Sequence, residues 1–226
     1  AGSDTHYRVS AKGEYIADYD FEKNYAGKDA WRNVRAGVRT DTQLDENAQL
    51  TFHGNYYDVD FSQGQAIVGP PPFFPVTGFS RRHNKASGGN AMLGYDRTLD
   101  GGSSLSVTGS YDYRHRRSNS GIDMHLAQLG VQHNVAINDM LSLIWGVDYS
   151  LTSAHLRQGA SASTFQPTGQ TFHLGSTFGQ LTVDLLDDTL SISLGTKLSA
   201  NNWTGFEYQP SGRATYKPVD GHTIWG

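Results

Sequence analysis

The feature that most constrains the fold is a period-two alternation of apolar and polar residues, which recurs along the whole 226-residue chain. In residues 189–201, Leu190, Ile192 and Leu194 occupy one face of an extended chain, and the serines between them occupy the other. Because successive side chains of a β-strand point to opposite faces, this pattern predicts strands with one apolar and one polar face. Helical periodicity is nearly absent, so the sequence predicts an all-β chain.

The predicted strands are unusually long. Strands of globular proteins commonly hold about 5–6 residues, whereas a tilted strand that crosses a bilayer needs about 9–11. About ten complete antiparallel strands of the longer kind are predicted, and a further strand begins at His222. The ten comprise residues 7–19, 31–40, 48–58, 90–98, 104–114, 126–136, 140–151, 172–183, 189–201 and 206–216.

The predicted connections alternate in length along the chain. Short turns are predicted at residues 41–47, 99–103, 137–139, 186–188 and 218–221. Mostly longer connections lie between them, at residues 20–30, 60–89, 116–123 and 152–170, with a compact one at 202–205. Short turns at one edge and longer loops at the other are typical of outer-membrane β-barrels.

Two architectures would use such strands. In a soluble β-sandwich the apolar faces of two sheets pack together, whereas in a membrane barrel they face lipid and the polar faces line the lumen. Ten long strands would make an unusually large sandwich, so we favour a transmembrane barrel. Aromatic residues near predicted strand ends also suit interfacial girdles; they are Tyr15, Tyr19, Trp31, Tyr56, Tyr113, Trp145, Tyr149, Phe206, Tyr216 and Trp225.

Composition excludes several kinds of function. The chain has no cysteine, which rules out disulfide scaffolds, thiolate metal sites and cysteine nucleophiles. Its formal net charge of −4 gives no overall attraction for nucleic acid. The nine histidines are dispersed without metal-ligand spacing, so we expect no metal ligands and no cofactor.

The C-terminal third carries a family resemblance. Three runs resemble the barrel of TonB-dependent outer-membrane receptors: LGTKL at 194–198, WTGFEYQPSGR at 203–213 and DGHTIWG at 220–226. Gly212 and Tyr216 depart from the Ala-like residue and the tryptophan expected there. The resemblance implies a barrel of about 22 strands with a plugged lumen. Residues 1–226 are then expected to be one barrel segment, with the plug and the remaining strands outside it.

The resemblance also implies a function. Receptors of this family lie in the outer membrane of Gram-negative bacteria and take up scarce nutrients such as ferric siderophores. The expected partners are outer-membrane lipid and lipopolysaccharide, a small-molecule ligand such as an iron chelate, and TonB through the plug. Within this chain, the alternation predicts a lumen-facing polar stripe of Glu207, Gln209, Ser211 and Arg213.

A ligand site is predicted in the connection at residues 60–89, which shows no alternation and so is expected to be a long outer loop. Its aromatic rings would stack on a ligand while its cations attract an anionic one. The candidate residues are Phe73, Phe74, Phe79, Arg81, Arg82 and His83. The alternative is a surface loop whose cations meet lipopolysaccharide phosphates or water. The basic run at 114–117 leaves the same two interpretations open.

Three other functions are weighed against the receptor: a passive porin-like closed barrel, a soluble β-sandwich binding module and a rim enzyme. Asp58, Asp60, Asp123 and His125 are the acid–base candidates for the enzyme, but a barrel rim collects such residues in any case. The chain has no G-x-S-x-G elbow, P-loop or dinucleotide fingerprint. We therefore expect that it is not an enzyme.

Overall fold

The protein is a single open β-sheet with one small additional ribbon. The structure, a computed structural model, describes residues 4–226 except 19, 22–24, 27–28, 70–75, 119, 159–165, 187–188 and 220. In this part eleven strands form one antiparallel sheet, and β2 and β3 form the ribbon. The strands are β1 (Asp4–Ile16), β2 (Asp20–Phe21), β3 (Tyr25–Ala26), β4 (Trp31–Asp45), β5 (Ala48–Val68), β6 (Val76–Thr98), β7 (Ser104–Arg117), β8 (Gly121–Asn138), β9 (Leu141–Arg157), β10 (Gly169–Leu185), β11 (Leu190–Asn201), β12 (Gly205–Val219) and β13 (His222–Trp225).

The strand order is a meander in which each strand of the large sheet pairs with the next one along the chain. This confirms the predicted all-β antiparallel architecture, and β13 is the further strand predicted to begin at His222. A soluble sandwich needs a second sheet packed on the first. The described residues contain no such sheet, and Ala48 is the one apolar residue among them that is buried. The sandwich alternative is therefore wrong.

The pairing register keeps apolar residues on one face across the whole sheet. Val107 lies opposite Val131, and Val131 lies opposite Val147. We call this side the belt face and the opposite side the polar face. Side chains that extend the belt face from β1 to β12 are Tyr7, Val9, Val38, Phe52, Leu93, Leu129, Leu181, Leu194 and Tyr208. Leu129 and Leu194 are 56% and 65% exposed, as expected for side chains that have no protein layer to cover them.

The belt has the dimensions of a membrane band. From Leu190 to Ala200, ten residue steps of about 3.4 Å, tilted by about 45°, rise about 24 Å, which matches the apolar band of ~25 Å. Aromatic rings of the belt face border it on both sides, as predicted for girdles. Near the edge with the longer connections they are Tyr15, Tyr56, Tyr113 and Phe206, and near the other edge Tyr95, Trp145 and Tyr216. Tyr149, also predicted for a girdle, instead lies opposite Leu129 in the middle of β9. Trp31 and Trp225 lie on the polar face instead, and Tyr19 lies outside the described residues.

The prediction of a long irregular loop at residues 60–89 is wrong. β5 continues to Val68 and β6 begins at Val76, and the two strands stay paired up to Val68 and Val76. The reason is physical. A hairpin that projects beyond the apolar belt has water on both faces, so its backbone ladder persists while the alternation that reveals a strand in the sequence is lost.

The connections are less strictly sorted by length than predicted. One edge carries the turns at 46–47, 99–103 and 139–140 and the four-residue connection between β10 and β11, and the other carries the longer connections between β1 and β4, β5 and β6, and β9 and β10. The connection at 118–120 has only three residues, because β7 and β8 extend further than predicted. Gly101 and Gly102 take positive φ values of 69° and 78° in the 99–103 turn, a backbone shape that favours glycine. No helix of the described residues is long and apolar enough to cross a bilayer.

Candidate functional site

A row of cationic side chains crosses the polar face near the edge with the longer connections. In the pairing register, Lys12 of β1 lies opposite Arg35 of β4, and Arg35 lies opposite Tyr57 of β5. Tyr57 lies opposite Gly88 of β6, which in turn lies opposite Arg114 of β7. Directly opposed residues in antiparallel strands have Cβ atoms about 4.5–5.5 Å apart, so these residues form one continuous line. We call Lys12, Arg35, Tyr57 and Arg114 the basic row.

Gly88 allows the tyrosine to take its place in this row. A Cβ atom at Gly88 would lie 2.7 Å from the Tyr57 hydroxyl oxygen and 2.5 Å from the Tyr113 carbonyl oxygen. Because glycine has no side chain, the phenol ring lies against β6 and reaches toward β7. Beside it is a groove of about 680 Å³, whose lining includes Lys12, Arg35, Asn55 and Tyr57.

The cations of the row differ in how they are neutralised. Lys12 Nζ lies 2.5 Å from a Glu14 carboxylate oxygen, and Arg114 Nε donates to Asp112 at 2.8 Å. Arg35 instead donates from Nε to the Asn33 side-chain oxygen at 3.3 Å and forms no ion pair with any described residue. Its planar guanidinium therefore retains the capacity to bind a carboxylate or catecholate through paired hydrogen bonds.

Sequence reasoning missed the basic row because its members are far apart in the chain. Lys12 and Arg114 are separated by about a hundred residues and are brought to one line by four successive pairing registers. The signal available in the sequence was the hairpin alignment: once strands are aligned on their apolar alternation, Arg35 falls opposite Tyr57.

Strand alternation divides the predicted loop residues between the two faces. Arg82 lies on the polar face, whereas Arg81 and His83 lie on the belt-face side of β6. Arg81 pairs with Asp18, and His83 Nδ1 lies 3.4 Å from Ser62 Oγ. The backbone of Phe79 is part of β6, and Phe73 and Phe74 lie outside the described residues. Ligand binding by this set stays a prediction, but its three described polar members do not converge on one face.

The basic run at 114–117 is divided in the same way. Arg114 and Arg116 lie on the polar face, and His115 and Arg117 lie on the other. Arg116 forms no ion pair with any described residue. The two interpretations of this run therefore apply to different residues, since two of them lie on the polar face and two on the belt face.

The predicted polar stripe of β12 does occupy the polar face. Its residues Glu207, Gln209, Ser211 and Arg213 lie opposite Ser199, Lys197, Gly195 and Ser193 of β11. Glu207 accepts hydrogen bonds from Thr204 Oγ1 at 2.5 Å and from Asn201 Nδ2 at 3.2 Å. The stripe thus continues the polar face of β11, and its exposure to a lumen remains a prediction.

The rim-enzyme candidates are engaged in separate interactions. Asp58 lies 3.9 Å from Arg32, and Asp60 lies 3.6 Å from Lys85. His125 Nδ1 lies 2.6 Å from the Tyr111 hydroxyl. None of the three carboxylates is hydrogen-bonded to His125, so the candidates form no acid–base unit. Among the described residues no group of three or more acidic or histidine side chains is placed to hold a metal ion.

Asp123 has a partner that the sequence did not indicate. It lies on β8 beyond the part of the belt that runs from His125, opposite Tyr113, to His133, opposite Trp145, and it accepts a hydrogen bond from His115 on β7. Arg157 of β9 contacts its other oxygen at 2.8 Å. The hydrogen bond from His115 is the largest cause that lowers the pKa of the Asp123 carboxyl; burial opposes it, and the positive charge of Arg157 adds a smaller lowering effect, so that the pKa is lowered overall. This cluster joins three strands at the outer end of the sheet.

The fold of the chain matches part of solved outer-membrane receptors. A point variant of the ferric enterobactin receptor PfeA of Pseudomonas aeruginosa, in complex with enterobactin, gives a TM-score of 0.67 over 98% of this chain, at 11% identity. The siderophore receptor PirA of Acinetobacter baumannii gives 0.66 over 97% at 11% identity. The receptor in the FpvAI–pyocin S2 complex gives 0.65 over 98% at 9% identity. No protein-family model and no curated protein matches the sequence.

The chain matches only part of each of these receptors. This chain spans 38%, 37% and 38% of those three receptor chains, respectively. Identities near 10% establish a shared fold and nothing finer. The eleven paired strands, the continuous belt face and these superpositions agree with the resemblance carried by the C-terminal third. The chain has the fold of a section of the barrel of TonB-dependent siderophore receptors.

Proposed function

We propose that this chain forms part of the wall of an outer-membrane receptor that takes up an anionic iron chelate, such as a ferric siderophore, with energy delivered through TonB. In this role the belt face contacts lipid, and the polar face, including Glu207, Gln209, Ser211 and Arg213, lines the lumen. The energy-transducing plug would be contributed by another part of the protein. The fold and the separation of the two faces support this role.

The basic row is the observation that supports an anionic iron chelate as the ligand. Siderophores bind iron through anionic oxygen groups such as catecholates, and the receptor PfeA has been solved with enterobactin. Hydrogen bonds to charged groups contribute about 1.5–3 kcal/mol each. Arg35, which has no described ion-pair partner, and the aromatic ring of Tyr57 beside it suit an anionic aromatic ligand.

A binding experiment tests this assignment. Titration of the full-length protein in detergent with ferric enterobactin should give saturable binding, and Arg35→Gln should weaken it about tenfold or more. Arg8→Gln is the matched control, because Arg8 lies on the same face four residues along β1 from Lys12 and outside the basic row. Equal loss in both variants, or no loss in Arg35→Gln, would contradict the role of the row.

An uptake experiment separates active transport from the passive porin-like alternative. A receptor driven through TonB depends on the proton-motive force, whereas diffusion through an open channel does not. Cells that express the full-length protein should therefore accumulate radioactive iron from the chelate, and a protonophore should abolish the uptake. Uptake that persists with the protonophore would support the passive channel.

A further inference from the structure

The side chains of the polar face change from cationic to mainly apolar between β7 and β8. The register line of the basic row continues through Met124 of β8 and Ala154 of β9 to Gln170 of β10, and the polar-face side chains beside it are mainly apolar instead of cationic. Ile122 lies opposite Leu156, and Met124 lies opposite Ala154. We call Ile122, Met124, Leu126, Leu156 and Phe172 the apolar patch; all five are half-buried, with the remainder open above the face.

A tryptophan is held over the end of this patch. The ring centroids of Trp203, in the turn between β11 and β12, and Phe172 are 4.9 Å apart. Asn201 Oδ1 accepts hydrogen bonds from the backbone N–H groups of Trp203 and Thr204, both at 2.8 Å. Asn202 ties the turn to β10, since it donates to the Thr171 carbonyl at 2.8 Å and accepts from the His173 N–H at 2.9 Å.

Four hydrogen bonds hold the backbone of this turn, yet Trp203 remains 63% exposed. A large apolar ring that stands on such a turn, contacts Phe172 and is otherwise open is suited to stack on a ligand, because ordering the backbone costs little further entropy when the contact forms. The turn therefore provides an aromatic end wall for the apolar patch.

The apolar patch and the cations share a border. Arg114 lies opposite Met124, and Arg116 lies opposite Ile122. Phe172 of β10 is three strands away from β7, and its register line passes through Thr152 and Leu126 to Asp112, four residues from Arg116. At about 4.8 Å per strand and about 3.4 Å per residue, Phe172 is about 20 Å from Arg116 and about 16 Å from Arg114 along the sheet. A ligand that contacts the two arginines at one end and the Phe172–Trp203 pair at the other must therefore span that distance less the reach of the side chains.

We propose that this part of the polar face binds an amphiphilic organic anion. Its charged group pairs with Arg114 and Arg116, and its apolar body lies across the apolar patch to stack against Trp203. A small hydrophilic anion would leave the patch in water, and a neutral apolar molecule would leave the Arg116 guanidinium without a partner. This inference rests on the proposed function, since it narrows the substrate class of the same receptor.

A brominated twelve-carbon carboxylate, 12-bromododecanoate, is a suitable probe because bromine quenches tryptophan fluorescence on contact. In full-length protein in lipid nanodiscs, we expect a saturable quench that Trp203→Phe removes. Trp145, on the belt face, is quenched in proportion to the probe dissolved in lipid and gives the non-saturable background. In parallel, binding of radioactive dodecanoate should weaken at least tenfold in Arg116→Gln and at least fivefold in Trp203→Ala, but not in Arg8→Gln.

The other outcomes overturn the inference in distinguishable ways. If ferric enterobactin binds through Arg35 but dodecanoate gives no saturable binding, the amphiphile is wrong and the receptor role stands. If neither probe binds, both proposals fail. If Trp203→Ala lowers the thermal unfolding midpoint and leaves dodecanoate affinity unchanged, the patch is covered by another part of the protein.

Discussion

Which face of the sheet contacts lipid is tested with two variants of β8, each of which places a positive charge on one of its two faces. Leu129 lies on the belt face, four residues from His125 and four from His133, which puts it near the middle of the belt. Its side chain is 56% exposed and has no protein layer over it. If this face contacts lipid, Leu129→Arg places a guanidinium close to the centre of the bilayer.

The expected cost follows from that depth. An arginine on the lipid face of an outer-membrane barrel costs about 2–4 kcal/mol at the midplane, and little near the interfaces. At about 1.36 kcal/mol per tenfold, this lowers the folding equilibrium constant by about 30-fold to nearly 1,000-fold. Gln128→Arg is the matched control, because Gln128 is the adjacent exposed residue on the polar face. A surface substitution of that kind changes stability by less than about 0.5 kcal/mol.

Reversible urea unfolding of the full-length protein from phospholipid vesicles measures both variants on one scale. Tryptophan emission reports the transition, and equal slopes for the variants would show that the unfolded states are comparable. A belt face in lipid is refuted if Gln128→Arg is as destabilising as Leu129→Arg, because the two faces would then not differ in their contact with lipid, and a larger loss in Gln128→Arg would place the polar face in lipid.

Two further predictions concern individual residues. Gly88→Ala should destabilise the protein by about 1–3 kcal/mol in the same assay, since its Cβ would lie 2.5 Å from the Tyr113 carbonyl oxygen. Gly94→Ala is the control: its Cβ would have no atom within 4 Å, so it should change stability by less than about 1 kcal/mol. Equal effects would contradict the close packing at Gly88. The lowered pKa of Asp123 means that this carboxylate stabilises the fold above its unfolded pKa of about 3.9, and that the contribution is lost as the pH falls through the folded pKa. Asp123→Asn should therefore show a weaker loss of stability below about pH 4 than the wild type; identical pH profiles would contradict the interaction with His115.

The alternation in the sequence was sufficient to predict strands wherever one face meets an apolar medium. Residues 189–201 and 140–151 show it clearly, and β11 and β9 cover them closely. It failed at residues 60–89, because a hairpin beyond the belt needs only backbone pairing and places no demand on the order of its side chains. Strand existence was thus predictable within the belt and unpredictable outside it.

The site was less predictable than the fold. The sequence grouped Arg81, Arg82 and His83 because they are adjacent, whereas adjacent residues of a strand point to opposite faces. The residues that do share a line, such as Arg35 and Tyr57, are distant in the chain and meet only through the pairing register. Residues that are adjacent in sequence can form one site in a loop, but in a β-strand their side chains point to opposite faces of the sheet.

Single-cysteine labelling along β8 tests the central claim most directly. These 226 residues contain no cysteine, and any cysteine elsewhere in the full-length protein is first replaced by serine. Each residue from Leu126 to Asn134 is replaced in turn by cysteine in the full-length protein, and intact outer membranes are exposed to a water-soluble and a lipid-soluble maleimide. If the belt face contacts lipid, even-numbered positions react with the water-soluble reagent and odd-numbered positions with the lipid-soluble one. Reversed parity, or uniform reaction with the water-soluble reagent, would contradict a barrel wall with its belt face in lipid.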